Sequence, residues 1–292
     1  MAFQSLEEMI QTAEEKKIAL WKAIQLEDVS EGKETEESSY ETMKSMWEAI
    51  LSASESYDEK LLSNSKLVGG DGGKLTRYRE SGKSIPLCGD YISHVMEQAV
   101  QMGESNACMK RIVAAPTAGS CGVLPAVLVP YKKLINDDHD RLIESLYIAA
   151  GIGQVIVHRA SISGAEGGCQ AEIGSASAMA AGALCYLQGG NHKQIIHAAA
   201  MAMKNLLGLV CDPVAGLVEV PCVKRNVIGA VNAVTSAEMA LAGIESKIPP
   251  DQVFDAMKEV GDKMDVSLRE TGKGGLAATP FALRLEEEAS LE

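Results

Sequence analysis

The sequence predicts an all-α protein, a compact helical body with glycine-rich loops and a peripheral helical amino-terminal part, and three observations lead there. Apolar residues fill 46% of the 292 positions while aromatics fill only 4%, so the core must be built from Ala, Leu, Ile, Val and Met, a composition that suits helices better than sheets. Two segments near the amino terminus repeat apolar residues at the spacing of one helix face. The run Cys169 to Leu187 is crowded with Gly and Ala and nearly uncharged after Glu172, as a buried central helix would be.

Taken in order, Ser5 to Gln25 carries Met9, Ile10, Ala13, Ile18, Leu20 and Trp21 among Glu and Lys, and Thr35 to Leu62 carries Met43, Met46, Trp47, Ile50 and Leu51. Ser5 with Glu8, and Thr35 with Glu37, are the expected helix starts. These stripes predict packing against the body of the protein or against a partner. Leu67 to Ser84 then turns glycine-rich and polar, which predicts a loop whose amides could face an anion, although the spacing matches no nucleotide-binding fingerprint. Pro86 is expected to open a helix reaching about Gly103. A histidine such as His94, on that helix, more often satisfies itself locally than ligates.

Ala114 to Leu128 combines a turn at Pro116 and Gly119 with the hydroxyls of Thr117 and Ser120, and a helix is expected from about Cys121. Backbone amides and the positive end of that helix would favour a carboxylate. Arg141 to Gln154 reads as another helix, His158 to Gly168 as a loop leading to Cys169, and a further apolar helix ends in KNLLGLV. Asn226 to Ala242 and Pro249 to Met264 follow as helices, the latter with proline near its start and Asp251 in its first turn. The segment RETGKGGLAATP is again glycine-rich and holds Lys273. The expected division is a peripheral part, residues 1–65, and a compact helical part, residues 66–292, which could also form one continuous domain.

The formal net charge of −13 argues against a nucleic-acid or anionic-membrane partner, since both need clustered Lys and Arg. The first residues lack a charged segment followed by an apolar one, and no uncharged apolar run of about 18 residues occurs, which predicts a soluble, cytoplasmic protein. Seven cysteines argue against a disulfide framework.

Three of them stand apart. Cys211 and Cys222 flank a stretch broken by Pro213, Gly216 and Pro221, and Cys169 follows Gly167 and Gly168, so each thiol can face a shared ligand. Thiolates are what zinc and iron-sulfur clusters select. Spacing alone leaves simple packing open, because neither a CxxC pair nor a zinc-finger pattern is present. Cys121 and Cys185 read as packing.

The strings GGCQAEIGSASAMAA, LVCDPVAGLVEVPCVKRN and APTAGSCGVLPAVL closely resemble the signature segments of the iron-sulfur-dependent L-serine dehydratases (L-serine ammonia-lyases), specifically the catalytic alpha chain of the two-subunit type. The resemblance runs over nearly the whole chain. It implies a 4Fe-4S cluster on Cys169, Cys211 and Cys222, with one iron free of these thiolates to act as a Lewis acid on L-serine. It implies that Thr117, Gly119 and Ser120 line the substrate site, although Ala118 stands where the family often has Asn. His158 and Lys273 are the base candidates this chain offers. The family's Ser- and His-containing substrate motif is not found, which implies a separate beta chain and an oligomeric enzyme. The chain ends LEEEASLE, without the terminal cysteine that single-chain relatives can place on the cluster. Two other classes stay in play: a closed structural or electron-transfer metal protein, and a non-catalytic interaction subunit.

Overall fold

The computed structural model describes residues 3–32, 34–82 and 87–289. Among these residues the chain forms thirteen α-helices and no strand. The helices are α1 (Leu6–Lys16), α2 (Leu20–Gly32), α3 (Glu36–Glu55), α4 (Asp71–Glu80), α5 (Gly89–Ala107), α6 (Val123–Leu134) and α7 (His139–Arg159), then α8 (Gly164–Gly167), α9 (Ser175–Leu187), α10 (His192–Lys204), α11 (Cys222–Leu241), α12 (Pro250–Lys263) and α13 (Pro280–Ala289). A π-helical turn, Gln170–Gly174, leads into α9.

The amino-terminal caps form as the sequence predicts. Ser5 Oγ accepts from the Glu8 amide at 3.0 Å while the Gln4 amide donates to Glu8 Oε2 at 2.8 Å, and Thr35 Oγ1 accepts from the Ser38 amide at 3.1 Å. The extents differ. Ser5 to Gln25 is two helices, broken where Lys17 turns left-handed (φ 53°) and returns its amide to Ala13 and Glu14. The second segment stops at Glu55, short of Leu62. Their apolar faces turn inward: Met9, Ile10, Leu20, Trp47 and Ile50 are buried in the same core as α7 and α9.

The glycine-rich stretch after Leu67 holds a helix, α4, that sequence reading took for a loop. Its first amides do face an anion, but one supplied by the chain itself. The Asp71 and Gly72 amides donate to the buried Glu104 carboxylate at 2.8 and 3.1 Å, and the Tyr57 hydroxyl donates to it at 2.6 Å. The following helix starts at Gly89 among the described residues, and Pro86 lies outside them. His94 sits on that helix with Nδ1 3.0 Å from the Asp90 carbonyl, a local contact.

At the centre lies α9, packed on α6, α7, α10 and α11 and buried almost throughout. Small residues allow that approach: a methyl on Gly182 would strike Ile152 Cδ1 of α7. Cys185 is fully buried in this helix and Cys121 is fully buried beside the Met102 carbonyl, both as packing. The π-helical turn widens the entry to α9 by one residue, a distortion that recurs at functional sites. Among the described residues no helix is long and apolar enough to cross a membrane.

Candidate functional site

Cys169, Cys211 and Cys222 come from three different elements. Cys169 is the cap of the π-helical turn, reached through Gly168 at φ 74° and ψ −177°, a conformation open essentially to glycine. A side chain there would also lie 2.6 Å from Met264 Sδ and 2.9 Å from the Leu209 carbonyl. Cys211 sits in the segment after α10, where its amide donates to the Leu268 carbonyl at 2.9 Å and its carbonyl accepts from the Glu270 amide at 2.7 Å. That pairing docks the glycine-rich RETGKGGLAATP segment against the cysteine loop. The Asp212 carboxylate reinforces it by accepting from the Leu276 amide at 2.8 Å. Cys222 is the first residue of α11, four positions earlier than the helix start expected from sequence.

All three thiols are buried, with exposures of 3, 3 and 8% for Cys169, Cys211 and Cys222, and they lie near enough to feel one another's charge. Burial pushes the Cys169 thiol up to about 11 and the Cys222 thiol up to about 12, and it raises Cys211 further. The neighbouring thiols and Glu172 add to the rise at Cys211. At Cys169 the charge of the Arg225 guanidinium works the other way. Left alone these groups are neutral thiols, and they become thiolates only for a cationic partner. Among the described residues no three His, Cys, Asp or Glu side chains converge on a single-ion site.

Glu172, on the π-helical turn, was not singled out from sequence, yet it joins the thiols to the Thr117 loop. Its Oε1 accepts from Thr117 Oγ1 at 2.8 Å and its Oε2 lies 3.9 Å from Cys211 Sγ. Two glycines make room for it: a Cβ at Gly119 would stand 3.1 Å from Oε1, and one at Gly164 would stand 2.9 Å from Oε2. Burial raises the Glu172 carboxyl, the Glu270 charge raises it further, and the Thr117 hydroxyl pulls it back. Ser120 is buried beneath the loop, where its Oγ accepts from the Thr117 amide at 3.3 Å and meets Thr117 Oγ1 at 3.1 Å. Ser120 therefore shapes the loop while Thr117 presents a hydroxyl.

The first turns of α11 tie these parts together. Asn226, buried to 1%, accepts from the Gly122 amide at 2.8 Å and donates to the Gly119 carbonyl at 2.9 Å, pinning the Thr117 loop to the helix that begins with Cys222. Arg225 donates to the Val210 carbonyl at 2.7 Å and pairs with Asp212 at 2.8 Å. The signal that would have found both is spacing: a helix begun at Cys222 puts positions three and four further on over the same face. His158 lies exposed on the last turn of α7, not in the loop expected there, and Lys273 is exposed in the carboxy-terminal loop. Neither is drawn into the thiol group.

Fold and site thus define an all-helical protein with three buried thiols gathered beside a carboxylate and a hydroxyl-bearing loop. The profile of the family described as "Serine dehydratase alpha chain" matches residues 14–277. The "Probable L-serine dehydratase, alpha chain" of Bacillus subtilis is 46% identical over 286 residues, which cover 98% of this chain and 95% of that protein. The "L-serine dehydratase, alpha chain" of Peptoniphilus asaccharolyticus is 42% identical over 282 residues, 96% of each. The "L-serine dehydratase 2" of Escherichia coli is 48% identical over 181 residues, 61% of this chain but only 40% of that longer protein. The chain belongs to the serine dehydratase alpha chain family.

Proposed function

We propose that this chain is the alpha subunit of an L-serine ammonia-lyase that converts L-serine to pyruvate and ammonia, with a 4Fe-4S cluster on Cys169, Cys211 and Cys222 and a separate beta chain. The observation that carries the reading is the burial of three thiols, from three separate elements, beside the Thr117 loop and Glu172. The donor set fits the group. Soft thiols suit iron and sulfide, and the three buried thiols lie near enough to act on one another electrostatically. When bound, such a cluster with three protein ligands supplies an open iron as Lewis acid for the departing hydroxyl.

The chain's own residues do the rest. Thr117, Gly119 and Ser120 form the loop that receives the substrate, with Thr117 presenting its hydroxyl and the buried Ser120 holding the turn. Glu172 faces both this loop and Cys211, and we assign it removal of the α-proton, a role that burial favours by strengthening it as a base. Loss of that proton and of hydroxide leaves aminoacrylate, which tautomerises to the imine and hydrolyses to pyruvate and ammonia. The beta chain completes the positioning of substrate that the exposed His158 and Lys273 leave unmade here.

The test is pyruvate formed from L-serine by anaerobically reconstituted chain, with and without the beta chain. Turnover should require both. Equal turnover by this chain alone would refute the two-chain reading. Glu172→Gln should lower kcat by about a hundredfold or more. Unchanged kcat in that variant would move the base to His158 or Lys273, which His158→Gln and Lys273→Met would then distinguish.

A further inference from the structure

Arg225 carries a guanidinium that ties the helix begun by Cys222 to the segment holding Cys211 and whose charge also reaches Cys169. It grows from α11 three residues after Cys222, and its charge reaches that thiol. It donates to the Val210 carbonyl at 2.7 Å and pairs with the Asp212 carboxylate at 2.8 Å, so it grips the residues on both sides of Cys211. Its charge also reaches the Cys169 thiol, where it opposes the rise that burial causes. The side chain is only 13% exposed, and its Asp212 partner only 4%. A buried cation is retained at such a cost only where it is paired and hydrogen-bonded throughout. Asp212 offsets its charge in part and is itself engaged by the Leu276 amide at 2.8 Å.

We propose that Arg225 is a positioning residue for the iron-sulfur cluster, holding the Cys211 and Cys222 elements in one arrangement and supplying positive charge near the Cys169 ligand. The inference rests on the cluster reading above and goes beyond it by naming a residue that ligates nothing. Three thiolates on a 4Fe-4S core carrying two positive charges leave an excess negative charge in a site shut off from water. A fixed guanidinium nearby compensates that charge, and it favours the reduced cluster over the oxidised one. Guanidinium and ammonium are not interchangeable here, because Arg225 reaches the Val210 carbonyl through one nitrogen and the Asp212 carboxylate through another, and a lysine can follow only part of that fork.

The experiment reconstitutes the full chain with ferrous iron and sulfide under anaerobic conditions, as wild type, Arg225→Lys, Arg225→Met and Asp212→Asn. Circular dichroism confirms folding, and bound iron, bound sulfide and the cluster midpoint potential are the readouts. Arg225→Met should bind iron at least roughly tenfold more weakly, the scale of one lost charged hydrogen bond, and any cluster retained should have a lower potential. Arg225→Lys should restore the potential but only part of the retention. Asp212→Asn, which keeps the cation and removes its counter-charge, should raise the potential. Should Arg225→Met fail to fold, the raised potential expected for Asp212→Asn and the reduced retention at unchanged potential expected for Arg225→Lys still decide the matter. Wild-type retention and potential across folded Arg225→Met would overturn the role of Arg225 and leave the cluster reading standing. Wild-type chain that takes up no iron would overturn both.

Discussion

Replacing Asn226 by alanine removes one side chain that serves three backbone groups. The amide oxygen accepts from the Gly122 N–H at 2.8 Å, and the amide nitrogen donates to the carbonyls of Gly119 and Cys222, each at 2.9 Å. The Cys222 carbonyl has a helical partner of its own within α11, so two groups lose their only side-chain partner in a site that is 1% exposed. A buried donor or acceptor left unsatisfied costs about 1–3 kcal/mol, which puts Asn226→Ala at about 3 kcal/mol for the pair. The assay is the urea unfolding midpoint of the anaerobic chain, followed by circular dichroism. Thr235→Ala is the control, because Thr235 is exposed on the same helix and its hydroxyl bonds only to carbonyls of its own helix. It should stay within about 0.5 kcal/mol of wild type. Asn226→Ala within that same margin would show that the Thr117 loop is not held by α11, and the argument for the site's assembly would fail with it.

Cys169→Ser, Cys211→Ser and Cys222→Ser should each abolish retention of reconstituted iron, whereas Cys185→Ser, inside the apolar α9, should keep it and lose only stability, about 1–2 kcal/mol for a hydroxyl in an apolar site. Full iron loading in Cys211→Ser would sink the ligand assignment. Gly168→Ala should cost about 3 kcal/mol, from a backbone conformation closed to alanine and from contact with Met264 and the Leu209 carbonyl, and a thermal midpoint equal to wild type would contradict the turn that aims Cys169. His197 accepts from the Ser246 amide at 3.2 Å through Nδ1, and burial lowers it from 6.5. A depressed folded value means that its contribution is full above about pH 6.5 and is lost as the pH falls through the folded value, so stability should decline in that window. His197→Gln should flatten this decline; an unaltered slope would assign it elsewhere.

Much of the helical framework was legible because it depends on local rules. The caps at Ser5 and Thr35, the small-residue run that became α9 and the proline-led start of α12 follow from side chains acting on their own backbone or on one helix face. The cysteine motifs were legible too, since their glycine and proline neighbours mark places where a chain can turn a thiol toward a ligand. Helix α4 was not, because its glycine-rich start has little propensity of its own and is held by Glu104, 33 positions away from Asp71. The beginning of α11 at Cys222 was hidden for the same reason, behind Pro221 and a stretch that reads as loop. Misplacing that start concealed Arg225 and Asn226, whose partners lie as far off as Gly119. Sequence by itself determined which residue types are available for chemistry and which segments coil into helices. Only the tertiary structure decided that Glu172 meets Thr117, that Cys211 pairs with the carboxy-terminal loop and that Arg225 sits among the thiols, because those contacts join residues 15 to 59 positions apart and no local pattern records them.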